Sequence, residues 1–119
     1  MTIPIEFIMC IVLVESAFNP SAIGDGGKAL GILQMHKEYV EDAAEHAGED
    51  WTHSDALIAE KAVKIFRAYM DRYCTKKELG RKPTLQDVAR IHNGGPNGYK
   101  KESTKMYWHL VKIRYDKVK

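Results

Sequence analysis

The decisive stretch is Val14-Glu15-Ser16-Ala17-Phe18-Asn19-Pro20-Ser21-Ala22-Ile23-Gly24-Asp25-Gly26-Gly27-Lys28-Ala29-Leu30-Gly31-Ile32-Leu33-Gln34-Met35. Just before it, Ile5 and Phe7 to Val14 form an apolar run interrupted only by Glu6. A segment apolar on all sides has to be buried, and its length favours a helix over a strand. Glu15 stands where the run stops. Asn19-Pro20 then turns the chain and sets the helix end near residues 15–17. Gly24, Gly26, Gly27 and Gly31 make the segment too glycine-rich for helix before Ala29, which predicts turns with a short hairpin over residues 21–35. Asp25 lies in that bend. A buried element thus carries one carboxyl to its rim, and a loop presents a second.

Toward the N-terminus, Thr2-Ile3-Pro4 reads as a helix start, with Thr2 as N-cap and proline in the first turn. Toward the C-terminus, Tyr39, Val40, Ala43, Ala44 and Ala47 share one helical face that Gly48 ends. Thr52-His53-Ser54-Asp55 has capping-box spacing and precedes a long amphipathic pattern through Ile58, Ala62, Ile65, Phe66, Tyr69, Met70 and Tyr73, read as core. Residues 79–83 form a linker with Gly80 and Pro83 as breakers. Thr84-Leu85-Gln86-Asp87 opens another helix, with Leu85, Val88, Ala89 and His92 on one side. Asn93-Gly94-Gly95-Pro96-Asn97-Gly98 reads as a rigid turn. Ser103 caps a last helix expected to pack through Tyr107, Leu110, Val111 and Ile113. The fold class is therefore mainly α, about five helices around a glycine-rich turn or short hairpin, in one domain over residues 1–119.

Composition bounds the function. At 45% hydrophobic and 29% charged the chain is an ordinary globular one. No apolar run is long enough to span a bilayer. The N-terminal run lacks a basic n-region and a small-residue cleavage site, so no signal peptide is expected. On that reading the protein is made in the cytoplasm and acts after release or delivery. Cys10 and Cys74 read as two buried free thiols, with a bridge between them as the alternative. No Cys/His cluster has metal-site spacing, so neither metal nor cofactor is expected. Residues 1–60 hold eleven carboxylates against two Lys/Arg, and residues 61–119 hold five against sixteen. A basic half could steer the protein to an anionic polymer, although a solvated helical face explains it equally. No nucleic-acid motif is present, and a monomer is expected.

The two acids differ in setting. Apolar neighbours and a helix C-terminus both disfavour a charged Glu15, which would let it hold a proton and give it to a glycosidic oxygen. Asp25, in a hydrated bend, would stay ionised and could attack or stabilise an oxocarbenium ion. Taken singly, each has a plainer reading. Glu15 could be a solvated helix-end residue and Asp25 an Asx-turn residue. His92 could be a hydrogen-bonded core histidine, Asn93 a helix cap and Trp108 a core residue.

Val-Glu-Ser-Ala-Phe-Asn-Pro-Ser-Ala followed by Ala-Leu-Gly-Ile-Leu-Gln-Met resembles the motif around the catalytic glutamate of lytic transglycosylases and goose-type lysozymes. Tyr-Met-Asp-Arg-Tyr, Gly-Arg-Lys-Pro-Thr, Ala89-Arg90-Ile91-His92-Asn93-Gly94-Gly95-Pro96-Asn97-Gly98 and Lys105-Met106-Tyr107-Trp108-His109 resemble invertebrate-type, or destabilase-type, lysozymes across residues 9–115. The resemblance implies a lysozyme-like α+β fold, with Glu15 as general acid. It implies Asp25 as second carboxylate, at a spacing about two residues shorter than the family's. It further implies that Ser16, Gln34, His36 and Tyr39 line one side of a saccharide cleft and His92, Asn93 and Gly94 the other. The family's dense disulfides are missing, which suggests a bacterial or bacteriophage member folded under reducing conditions.

Three functions follow as expectations. The first is a retaining muramidase that hydrolyses the β-1,4 bond between N-acetylmuramic acid and N-acetylglucosamine of bacterial peptidoglycan. The second is a lytic transglycosylase using Glu15 alone and releasing 1,6-anhydro products. The third is a non-catalytic domain that binds cell wall or a polyanion.

Overall fold

The computed structural model describes residues 1–119. Six α-helices and one small antiparallel hairpin make up the fold: α1 Ile5–Ser16, β1 Ile23–Gly24, β2 Ala29–Leu30, α2 Lys37–Ala47, α3 Ala59–Tyr73, α4 Lys76–Leu79, α5 Leu85–Gly94 and α6 Lys105–Val118. Short 3₁₀ turns fill His53–Leu57, Gly98–Lys100 and Glu102–Thr104. The mainly helical reading is correct. The count exceeds the expected five because a single turn, α4, forms just ahead of the linker read over residues 79–83 and meets it at Leu79, with Gly80 closing the turn at φ 76°.

One apolar core serves all the helices. Phe7, Ile8, Ile11 and Val12 of α1 are fully buried in the same core cluster as Ile65 and Phe66 of α3 and Val88 and Ile91 of α5. Each such side chain contributes about 1.5–3 kcal/mol of transfer free energy. From α6, Tyr115 meets the Phe7 ring edge-on at 5.0 Å, and Trp108 lies 6.3 Å from it. The α2 face turns inward through Val40, Ala43 and Ala44 but leaves Ala47 exposed, the α3 stripe is buried from Ala62 to Met70, and Gly48 ends α2 in the left-handed conformation as expected. Cys10 and Cys74 are buried free thiols. Burial pushes the Cys74 thiol up to about 12, so it stays a protonated packing group.

Several local expectations need correction. Thr2 does not cap α1. Pro4, extended at φ −60° and ψ 142°, is the N-cap, and its carbonyl accepts from Phe7 and Ile8. Asn19-Pro20 does not end α1. The helix stops because Ala17 and Phe18 both take positive φ, 51° and 66°. Nor is α1 buried all round, since Ile5 and Leu13 are 45% and 42% exposed.

The Thr52–Asp55 capping box is formed, but it caps the 3₁₀ turn, and Ile58 precedes α3 as an exposed N-cap. Ser103 caps nothing. It lies in a 3₁₀ turn, and α6 follows Thr104, whose hydroxyl is spent inside the protein on the Gly98 carbonyl at 2.7 Å. Leu110 and Ile113 stay on the surface, and among the four expected packing residues Val111 alone is fully buried. Helix α5 continues through Gly94, so the rigid turn begins at Gly95, φ 86°.

The loop between α1 and α2 positions the site. Ile23 pairs with Leu30 and Gly24 with Ala29, confirming the hairpin. Gly31 crosses behind it at φ 81°, where a Cβ would strike the backbone carbonyl of Ala56. Only glycine fits that approach.

Candidate active-site cleft

A cleft of about 400 Å³ opens between the end of α1, the hairpin, α2 and α5. Glu15 and Asp25 both line it. They meet it in different states. The Glu15 side chain is 18% exposed and that of Asp25 is 66% exposed.

Glu15 is held through one oxygen. The Tyr107 hydroxyl of α6 donates to Oε2 at 2.8 Å. Burial, reinforced by the Glu15 carboxylate, pushes the Tyr107 phenol well above its ordinary value, so it keeps the proton it donates. His92 Nε2 lies 3.4 Å from the same Oε2 and 2.9 Å from the Leu33 carbonyl. A carbonyl can only accept, so Nε2 carries a hydrogen. On the ring's other side Nδ1 meets the Tyr39 hydroxyl at 2.8 Å. Tyr39 stacks on Tyr69 with centroids 3.7 Å apart and planes 7° from parallel. Burial first, then Tyr69 and Glu15, raise the Tyr39 phenol well above its usual value. Two tyrosines and a histidine thus fix Glu15 from behind. Its Oε1 has no protein partner.

Asp25 sits in the hairpin turn at φ 51°, a conformation that aspartate tolerates better than most residues. His36 Nε2 lies 2.8 Å from its Oδ2. Both side chains are wet, so the pair orients the carboxylate more than it stabilises the fold.

The structure gathers most of the sequence-predicted residues. Gln34, His36, Tyr39, His92 and Asn93 line the cleft beside the two acids. Ser16 and Gly94 do not. The Ser16 hydroxyl donates to the Ile32 carbonyl at 2.9 Å and ties α1 to the loop. Gly94 faces Thr104, whose Cγ2 leaves too little room for a Cβ, so it serves the packing of α5. The Gln34 amide nitrogen donates to the Ala22 and Gly31 carbonyls, bracing the hairpin from within the cleft wall. His92 is the buried, hydrogen-bonded histidine of the plainer reading, and it also lines the cleft beside Glu15.

Sequence reasoning missed Tyr107 as a partner of Glu15, having read it as helix packing. It also missed Glu38, Asp42 and Tyr69 on the wall. Tyr69 carried a signal as part of the α3 stripe, but Tyr107 lies 92 residues from Glu15 and carried none. No group of three or more His, Cys, Asp or Glu side chains is arranged to hold a metal ion.

The chain resembles proteins already characterised. The family model described as Destabilase matches residues 6–113. Lysozyme from Ostrea edulis is 39% identical over 109 residues, covering 88% of this chain and 76% of the relative. Invertebrate-type lysozyme 6 from Caenorhabditis elegans is 31% identical over 117 residues, covering 90% and 83%. Among solved structures, Tapes japonica lysozyme superposes with a TM-score of 0.74 at 29% identity, covering 90% of this chain and 86% of that one. Inhibitor-bound lysozyme from Meretrix lusoria gives 0.76 at 31%, covering 93% and 89%. The fold is that of these lysozymes, and the chain belongs to the destabilase family.

Proposed function

We propose that the protein is a muramidase that hydrolyses the β-1,4 bond between N-acetylmuramic acid and N-acetylglucosamine in bacterial peptidoglycan. One observation carries the reading. Two carboxylates share a saccharide-sized cleft, one largely shielded and held by a single oxygen, the other open to water. Acid and ion-stabilising roles demand that difference in environment.

In this reading Glu15, in its protonated form, presents the proton from Oε1, because Oε2 is taken by Tyr107 and faced by His92. The proton passes to the glycosidic oxygen as the bond to C1 breaks. Asp25, ionised and oriented by His36, attacks or stabilises the developing oxocarbenium ion. Glu15 then removes a proton from the water that attacks C1, and the configuration is retained. Asn93 and the Gln34 side-chain oxygen offer groups for sugar hydroxyls. The two unpaired thiols further fit a chain that folds under reducing conditions, as a bacterial or bacteriophage member would, and that reaches the wall after release or delivery.

The test is mass analysis of peptidoglycan digested by wild type, Glu15→Gln and Asp25→Asn. Reducing muropeptides from wild type, and none from Glu15→Gln, are expected. Products lighter by one water, carrying a 1,6-anhydro ring, would replace the hydrolase with a transglycosylase. Absence of any product from wild type would leave a binding domain.

A further inference from the structure

One patch of the surface away from the cleft is apolar and open. Helices α1 and α6 leave between them a hollow of about 600 Å³, and no residue lining it also lines the Glu15 cleft. Leu13, Phe18, Ile113 and Val118 on it are 42%, 50%, 39% and 59% exposed. Phe18 also lines an adjoining apolar hollow of about 330 Å³ with Pro20, Ile32 and Val63. The patch is therefore continuous around that ring. Phe18 is half-exposed although its backbone sits in the left-handed region, which bulky residues rarely adopt. Along α6, Met106 and Leu110 extend the stripe toward Ile113 at helical spacing, both exposed.

The rim is cationic. Arg114 and Lys117 line the hollow, against one carboxylate, Glu6. Lys117 forms no salt bridge, and Arg114 bonds only the main-chain carbonyl of Leu110. Asp116, the one acid in residues 105–119, is occupied by Lys112 and Lys119.

We propose that this face docks on an anionic lipid bilayer, with Phe18, Leu13 and Ile113 among the upper acyl chains and Arg114 and Lys117 on headgroup phosphates. The chemistry separates lipid from protein. Protein interfaces carry about one hydrogen bond per 100–200 Å², yet no hydroxyl or amide side chain lines the hollow. Aliphatic and aromatic groups beside uncompensated cations suit an interfacial contact with acidic lipid. No helix is long and apolar enough to cross a membrane, so the contact is with its surface. Docked this way, the protein keeps its cleft free. The inference does not depend on which reaction the cleft performs.

The experiment is co-sedimentation of the whole chain with vesicles of phosphatidylglycerol and phosphatidylcholine, against vesicles of phosphatidylcholine alone. Binding to the acidic vesicles at least about tenfold tighter is expected, weakening with added salt. Arg114→Gln/Lys117→Gln should lose roughly thirtyfold. Phe18→Ser/Ile113→Ser should lose at least about tenfold. Thermal unfolding reports whether each variant folds, and if Phe18→Ser does not, Ile113→Ser/Val118→Ser reads the same face. Equal partition onto both vesicles, or none, overturns the proposal. So does loss with the charge variant but not with either apolar variant, which would mean diffuse electrostatic adsorption. A wild-type dimer in size-exclusion chromatography that the apolar variants dissociate would assign the face to a second copy instead.

Discussion

The Tyr107 hydroxyl donates to Glu15 Oε2 at 2.8 Å, joining the last helix to the end of the first. The bond takes one carboxyl oxygen of a residue that lines the cleft and leaves the other without a protein partner. If Glu15 is the proton donor as proposed, the value of this bond is orientation, since a proton donor displaced by a fraction of an ångström loses rate without losing substrate. Tyr107→Phe keeps the ring and removes only the donor. It should lower kcat about tenfold and leave KM within about twofold. Glu15→Gln should lower kcat by about 10²–10⁴. Initial rates on soluble muropeptides give both parameters, and a Tyr107→Phe enzyme with wild-type kcat would falsify the positioning role.

Asp25 and His36 form a wet pair, and their predicted effects are unequal for that reason. On the proposed mechanism Asp25→Asn removes the charge that would face the oxocarbenium ion and should cost about 10²–10³ in kcat. His36→Ala removes only an orienting contact screened by solvent, so a loss of about two- to fivefold is expected. Moderate salt should narrow the gap between wild type and His36→Ala. If His36→Ala matched Asp25→Asn in severity, His36 would have to touch substrate itself.

How much of this was readable in the chain depends on the range of each interaction. The α3 stripe and the Thr84–Asp87 box are local patterns of three to four residues; the box appears as read, and the stripe does from Ala62 onward, Ile58 being exposed. The hairpin followed from glycines that need positive φ, such as Gly26 and Gly31. The end of α1 near residues 15–17 was read in the right place, but not its cause, because Ala17 and Phe18 have no intrinsic preference for the left-handed region that stops the helix. The acids could be proposed from the α1 rim and the glycine bend. Their support could not, since Tyr107 and His92 reach Glu15 across 92 and 77 residues. Leu110 and Ile113 misled because a helical stripe was assumed to face a core, and here it faces outward.

Gly31 tests the loop that holds Asp25. Its φ of 81° is unfavourable for any side chain, and a Cβ would meet the rigid Ala56 carbonyl. Gly31→Ala should therefore destabilise by more than about 1 kcal/mol, despite lowering the entropy of the unfolded chain. Gly26 also has positive φ, 65°, but open space around it, so Gly26→Ala should cost less. Urea midpoints of the two variants compare them directly, and a Gly31→Ala midpoint above that of Gly26→Ala would contradict the packing argument.

Acid stability should depend on Asp87. Its side chain is 3% exposed, and burial alone would raise its pKa. The Arg81 guanidinium, donating to both oxygens at 2.7 Å, and the bonds from Thr84 outweigh that and hold it below the ordinary carboxylate value. The folded pKa is thus lower than the unfolded one, near 3.9. The unfolded chain binds the proton first, so the stabilisation is fully present above about pH 4 and fades as pH falls through the folded value. Asp87→Asn should cost about 1–3 kcal/mol at pH 7. It should also unfold with a midpoint that changes less than wild type's between pH 5 and pH 2.5. Parallel slopes for the two proteins over that window would show that acid lability originates at other carboxylates.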